Sequence, residues 1–144
     1  MIRFSKKEDY AMILLNELFK NYNKRLVPLS EVACNFNISA LFLRNLANQL
    51  SKMKIIKAVE GKNGGYFLNK NPKELKIGEI LGAFSDKPFL QCCSQSLLTR
   101  CPREKICQVS SIWKKINVEF LNKIYNLSFY EFINMKPDVK IDEK

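Results

Sequence analysis

Histidine is absent from this 144-residue chain. That absence removes the usual general base, the commonest zinc ligand and any cysteine–histidine nucleophilic pair, so enzymes built on those groups are excluded. No apolar run approaches the roughly 20 residues needed to cross a bilayer, which excludes a membrane-spanning helix. Acidic side chains are in the minority, 14 against 24 Lys and Arg, for a net charge of +10. Near the start, Glu8 and Asp9 stand where a signal peptide would carry its apolar stretch, so a cytoplasmic protein with no membrane partner is expected. A mass of 16.8 kDa suits one compact domain with an appended helix and is too small for two enzymatic domains.

What is present is uneven. Residues 1–72 hold 12 basic and 5 acidic side chains, a net +7, while residues 73–144 hold 12 and 9, a net +3. The first half therefore carries the electrostatic footprint of a phosphate-binding surface, with a generally lysine-rich composition as the alternative source of the excess. Four of the five cysteines, Cys92, Cys93, Cys101 and Cys107, fall within 16 residues. Clustered thiols in a chain without an export signal point to metal ligands or redox groups more than to structural disulfides.

Ala11, Leu14, Leu15, Leu18 and Tyr22 recur at helical spacing and predict a first amphipathic helix over 8–22. Ser30 is a candidate N-cap for a short helix carrying Glu31, Val32, Ala33 and Phe36, and Asn37-Ile38 makes a tight turn. Ser39 then opens a helix from Ala40 to Met53 with Leu43, Leu46, Ala47 and Leu50 inward and Arg44, Asn45, Asn48 and Gln49 outward. Two helices joined in this way form a helix-turn-helix. Ile55 to Val59 and Tyr66 to Leu68 read as strands around a glycine-rich turn, the shape of a wing, in which Gly64 and Gly65 are expected to take positive φ.

A helix over Ile77 to Phe84 precedes the cysteine segment. From Val109 onward, Ile112, Trp113, Ile116, Phe120 and Ile124 line one face of a long helix, followed by a short helix at Phe129 to Ile133. So small a chain leaves little surface of its own to cover that stripe, so helix-to-helix pairing in a homodimer is expected, with packing on its own first helix as the alternative. The fold class is mainly α with a small β-wing: a winged helix-turn-helix over 1–84, a cysteine-rich loop over 85–107, and a dimerisation helix and tail over 108–144. Cys34 reads as a small buried hydrophobe.

In this order and spacing the chain resembles the bacterial winged-helix regulators that include the iron-sulfur cluster regulator, the nitric-oxide-sensing repressor and the cysteine-metabolism repressor. The resemblance rests on Asp9-Tyr10-Ala11, Pro28-Leu29-Ser30-Glu31-Val32-Ala33, Ile38-Ser39 with Phe42-Leu43, the turn Gly61-Lys62-Asn63-Gly64-Gly65-Tyr66, Ile77-Gly78-Glu79-Ile80, the cysteine loop and Ile112-Trp113. It implies a non-enzymatic, homodimeric repressor that binds a double-stranded DNA operator. A recognition helix presents its N-terminal residues to base edges, so Ser39, Ala40, Leu41, Arg44, Asn45 and Asn48 are candidate DNA contacts, joined by Lys57, Lys62, Asn63 and Gly64 of the wing. Arg44 suits bidentate reading of guanine, or a phosphate. Relatives often carry an acid at the position of Arg44, and an arginine at that of Glu60, so the resemblance implies no particular operator sequence for this chain.

Seven residues separate Cys93 from Cys101 and five separate Cys101 from Cys107, and no CxxC pair occurs, which suits a loop around a cluster rather than a zinc ribbon. The family pattern implies an iron-sulfur cluster on Cys93, Cys101 and Cys107, with Cys92 as the alternative to Cys93. The histidine ligand of a two-iron member is missing. The resemblance then implies a four-iron, four-sulfur (4Fe-4S) centre closed by Asp9 from the partner subunit, with Glu8 its nearest substitute; the other reading of Asp9 is a carboxylate placed to suit the helix dipole. Such a cluster would tie DNA affinity to nitric oxide, redox or iron-sulfur status. The rival reading is a cluster-free thiol switch in which Cys92 or Cys93 pairs with Cys101 or Cys107.

Overall fold

The first apolar stripe becomes α1, Lys6–Lys20, with Ala11, Leu14, Leu15 and Leu18 buried. The computed structural model describes residues 5–84 and 106–135. Its further elements are α2 (Leu29–Phe36), α3 (Ala40–Lys52), β1 (Ile56–Val59), β2 (Gly65–Leu68), α4 (Ile77–Gly82), α5 (Gln108–Asn126) and α6 (Phe129–Asn134). None of the described helices is long and apolar enough to cross a membrane.

Local chemistry accounts for most of the boundaries. The Ser5 N–H donates to the Glu8 carboxylate at 2.6 Å and starts α1. Pro28, not Ser30, is the residue before α2. Its fixed φ suits the position and it has no N–H to leave unpaired, so the helix begins at Leu29, two residues earlier than a Ser30 cap would set it. Asn37 ends α2 in the left-handed region at φ 51°, while the Ile38 N–H reaches the Ala33 carbonyl at 3.0 Å. This is the tight turn of the helix-turn-helix, and asparagine is among the few residues that adopt that conformation readily. Cys34 is exposed rather than buried. In so short a helix the inward stripe holds Val32 and Ala33, and Cys34 sits about 200° around from Val32.

The wing is a two-stranded antiparallel sheet in which Ile56 faces Leu68 and Val59 faces Gly65. The stretch between α1 and α2 joins it through Val27, whose N–H donates to the Tyr66 carbonyl at 3.0 Å while the Tyr66 N–H donates back at 2.9 Å. Positive φ falls on Gly61, at 117°, and not on Gly64 or Gly65 as expected from the sequence. Gly64 is required for a different reason, since a Cβ there would collide with the Val59 carbonyl. The tightness of the turn, more than its handedness, selects glycine at that position.

After the cysteine segment the chain comes back to its beginning. The Phe129 N–H donates to the Leu75 carbonyl at 2.7 Å, Ile77 to Leu127 at 2.9 Å and Tyr130 to Pro72 at 3.0 Å. Ser128 caps α6 by exchanging hydrogen bonds with Glu131. Phe129 is fully buried in the same core as α1 and α3, its ring edge-on to Phe19 at 5.9 Å. Gly78 lets α5 press against α4, because any side chain there would strike the Tyr125 ring.

Candidate nucleic-acid interface and cysteine site

Four buried positions, Leu43, Leu46, Ala47 and Leu50, fasten α3 to the core. Its opposite face is thereby fixed outward, and Ser39, Ala40, Leu41, Arg44, Asn45 and Asn48 are all exposed on it. Leu41, 66% exposed, is an apolar residue left in solvent among polar ones, as a group meeting a thymine methyl would be. Lys57 projects from the exposed part of β1, and Lys62 and Asn63 form the exposed tip of the wing turn. Gly64 lies half-buried beneath them. Arg44, Lys57 and Lys62 form no ion pair among the described residues, so their charge faces solvent uncompensated.

Ion pairs lie around this surface instead. Arg25 grips Glu31 in the first turn of α2 through two bonds of 2.8 and 2.6 Å. The fork raises the Arg25 pKa and lowers that of Glu31, chiefly through the shared hydrogen bonds. Lys70, just past β2, pairs with Glu79 of α4, and that hydrogen bond holds the Glu79 carboxyl below its ordinary value. These pairs tie the entrance of the helix-turn-helix and the exit of the wing to neighbouring elements.

Of the sequence-assigned metal ligands, Cys92, Cys93 and Cys101 lie outside the described residues. Cys107 is the residue before α5, half-buried, with φ −91° and ψ 104°. Asp9 is exposed on the first turn of α1, its carboxylate in no hydrogen bond or ion pair among the described residues, whereas the Glu8 carboxylate is buried and engaged by the Ser5 N–H. Asp9 is thus the available donor of the two. Among the described residues no group of three or more Cys, Asp or Glu is gathered as a metal would require.

Sequence reasoning left some residues unmarked. Phe129 gave no sign of its role, because burial of one aromatic in a short helix has no periodic signal. Lys7 and Lys52 were likewise passed over; Lys52 shares the face of Asn48 at a spacing of four, a signal that helical counting makes visible, whereas Lys7 joins them only through the packing of α1 on α3.

Comparison with known proteins agrees with this architecture. Over 143 residues the chain is 22% identical to the HTH-type transcriptional regulator IscR of Pectobacterium atrosepticum, covering 99% of this chain and 86% of that one. The IscR of Escherichia coli is 23% identical over 133 residues, 92% of this chain and 81% of the other. Among solved structures, a candidate transcriptional regulator from Listeria innocua superposes with a TM-score of 0.83 at 19% identity, covering 99% of this chain and 93% of that one. CymR, the global cysteine regulator of B. subtilis, superposes at 0.74 and 20% identity, covering 92% and 96%. These likenesses show the fold, and the relatives are transcription regulators rather than enzymes. The family model described as iron-dependent transcriptional regulator matches residues 4–135, and the chain therefore belongs to that family, Rrf2.

Proposed function

We propose that the chain is a homodimeric, cytoplasmic repressor that binds a double-stranded DNA operator and whose affinity is switched by an iron-sulfur cluster. The observation that carries the reading is α5. Its apolar face of Val109, Ile112, Trp113 and Ile116 stays in solvent, and the helix begins at a cysteine of the cluster pattern. A second copy of α5 would cover that face, and a change at Cys107 would act directly on the helix that joins the subunits. Residues 1–84 serve as the reader, 85–107 as the sensing loop and 108–144 as the dimerisation helix and tail. Operator contacts come from Ser39, Ala40, Leu41, Arg44, Asn45 and Asn48 on α3 and from Lys57, Lys62, Asn63 and Gly64 on the wing.

The donor chemistry fits a 4Fe-4S cluster held by Cys93, Cys101 and Cys107, with Cys92 the alternative to Cys93, and by the partner subunit's Asp9. Three thiolates and an exposed carboxylate supply four ligands in a chain that has no histidine. Such a cluster supplies sensitivity to nitric oxide, oxygen or iron supply. The chain's own residues do the rest: Cys107 anchors the start of α5, Lys76 donates to the Asn126 carbonyl at its far end at 3.0 Å, and Phe129 locks the segment after it into the reader's core. Spacing of the two recognition helices would follow the angle of α5. Coupling of this kind typically amounts to about 1–3 kcal/mol of differential DNA affinity.

A thiol switch without a cluster is the second reading, favoured by the likeness to Staphylococcus aureus CymR, whose structure is known in an oxidized form. Anaerobic absorption and Mössbauer spectra with iron and sulfide counted per subunit separate the two. Brown protein with about four irons supports the cluster. Colourless protein that resists reconstitution, with operator binding sensitive to dithiothreitol, supports the thiol switch.

A further inference from the structure

An open cavity of about 380 Å³ lies between the start of α1 and the flank of α3. Lys7 stands on its α1 side; Asn45, Asn48, Gln49 and Lys52 line its α3 side, over Phe42 and Leu46. Around the α3 axis Asn45, Asn48 and Lys52 fall within roughly 60° of one another, so the cavity borders the outward face and shares two residues with it. Neither Lys7 nor Lys52 forms an ion pair among the described residues. Asp9, about 200° around α1 from Lys7, is turned away from the cavity.

Two ammonium groups in no ion pair among the described residues flank side-chain amides that offer N–H donors, with Phe42 and Leu46 as the apolar part of the lining. That set of groups suits a single anion with several oxygens. A helix lying in the major groove has a sugar-phosphate strand running along each flank, and this cavity opens on such a flank of α3. We propose that it seats a backbone phosphate of duplex DNA between Lys7 and Lys52. The inference rests on the reading of α3 as the recognition helix. Contacts to phosphate fix orientation and carry no sequence information, so this site sets the register from which Arg44 and Asn45 meet the bases.

The test is fluorescence anisotropy on a duplex of unrelated sequence across about 50 to 200 mM salt, with Lys7→Gln, Lys52→Gln and the double variant. Both lysines are exposed, so the variants should melt like the parent protein. The double variant is expected to lower the slope of log K against log salt by about 0.9, the share of one phosphate, and each single variant by a part of that. Slopes equal to the parent's, in a protein that binds DNA, would overturn the phosphate site alone; a parent protein without DNA affinity would overturn the recognition-helix reading with it. Titration with inorganic phosphate distinguishes a free-anion site. Saturable shifts of the Asn45 and Gln49 side-chain amides together with unchanged DNA slopes would assign the cavity to a free anion and reject the DNA phosphate.

Discussion

Helices α3 and α5 carry the same kind of apolar stripe and meet opposite fates. In α3 the stripe is buried almost completely, Leu43 and Leu50 at 0% exposure and Leu46 at 2%. In α5 the stripe stays in solvent along its first two turns, Ile112 at 57% and Trp113 and Ile116 at 43%, and turns half-buried only toward Phe120 and Ile124. Amphipathic spacing thus states that a face needs covering without saying by what. The core of this chain is filled by α1, α3 and Phe129 before it reaches the start of α5.

The largest effects should separate the two stripes. Leu50→Ala is expected to cost about 2–5 kcal/mol in urea unfolding, and Phe129→Ala about 3–5 kcal/mol, since both side chains are fully buried. Ile112→Ala, measured at a dilution where subunits are separate, should stay within about 0.5 kcal/mol of the parent. A loss at Ile112 as large as that at Leu50 would erase the contrast. Next, Ile112→Glu combined with Ile116→Glu should weaken self-association about a hundredfold, some 2.8 kcal/mol, in sedimentation equilibrium with unchanged far-ultraviolet dichroism. Undisturbed assembly would show that the exposed stripe is not the subunit contact.

The outward face of α3 gives a smaller effect. Arg44→Ala should lose about 1–3 kcal/mol of discrimination at one base pair, whereas Lys62→Gln should weaken binding to every sequence alike and flatten the salt slope by about one unit, read from anisotropy titrations. The smallest effect concerns pH. Hydrogen bonds from Lys70 to Glu79 and from Ser128 to Glu131 hold both carboxyls below the ordinary 4.5. Their stabilisation is therefore complete above pH 4.5 and is lost as the pH falls through the lowered folded-state values. Urea unfolding between neutrality and that range should show a decline on the acid side only, shallower in Glu79→Gln.

Local pattern made much of this legible. The stripe of α3, the left-handed Asn37, the wing turn and the long α5 are each set by residues a few positions apart, and so they can be read from spacing. Ser30 misled because a good capping residue two positions past a proline is outranked by the fixed backbone of Pro28. Cys34 misled because its burial depends on which side of an eight-residue helix meets the core. The cysteine cluster is legible as a motif, but of its four members only Cys107 falls within the described residues.

By itself, then, the sequence determined the helix order, the basic excess of the first half, the unsatisfied stripe and the absence of histidine chemistry, because periodicity, composition and turn residues act over short distances. Tertiary structure decided the rest. It brought Phe129 back onto Phe19, packed Tyr125 against Gly78, used Val27 to extend the wing and placed Lys7 across a cavity from Lys52. Each of these joins residues far apart in the chain, and such a pairing is settled only by which surfaces remain uncovered once the local elements have formed.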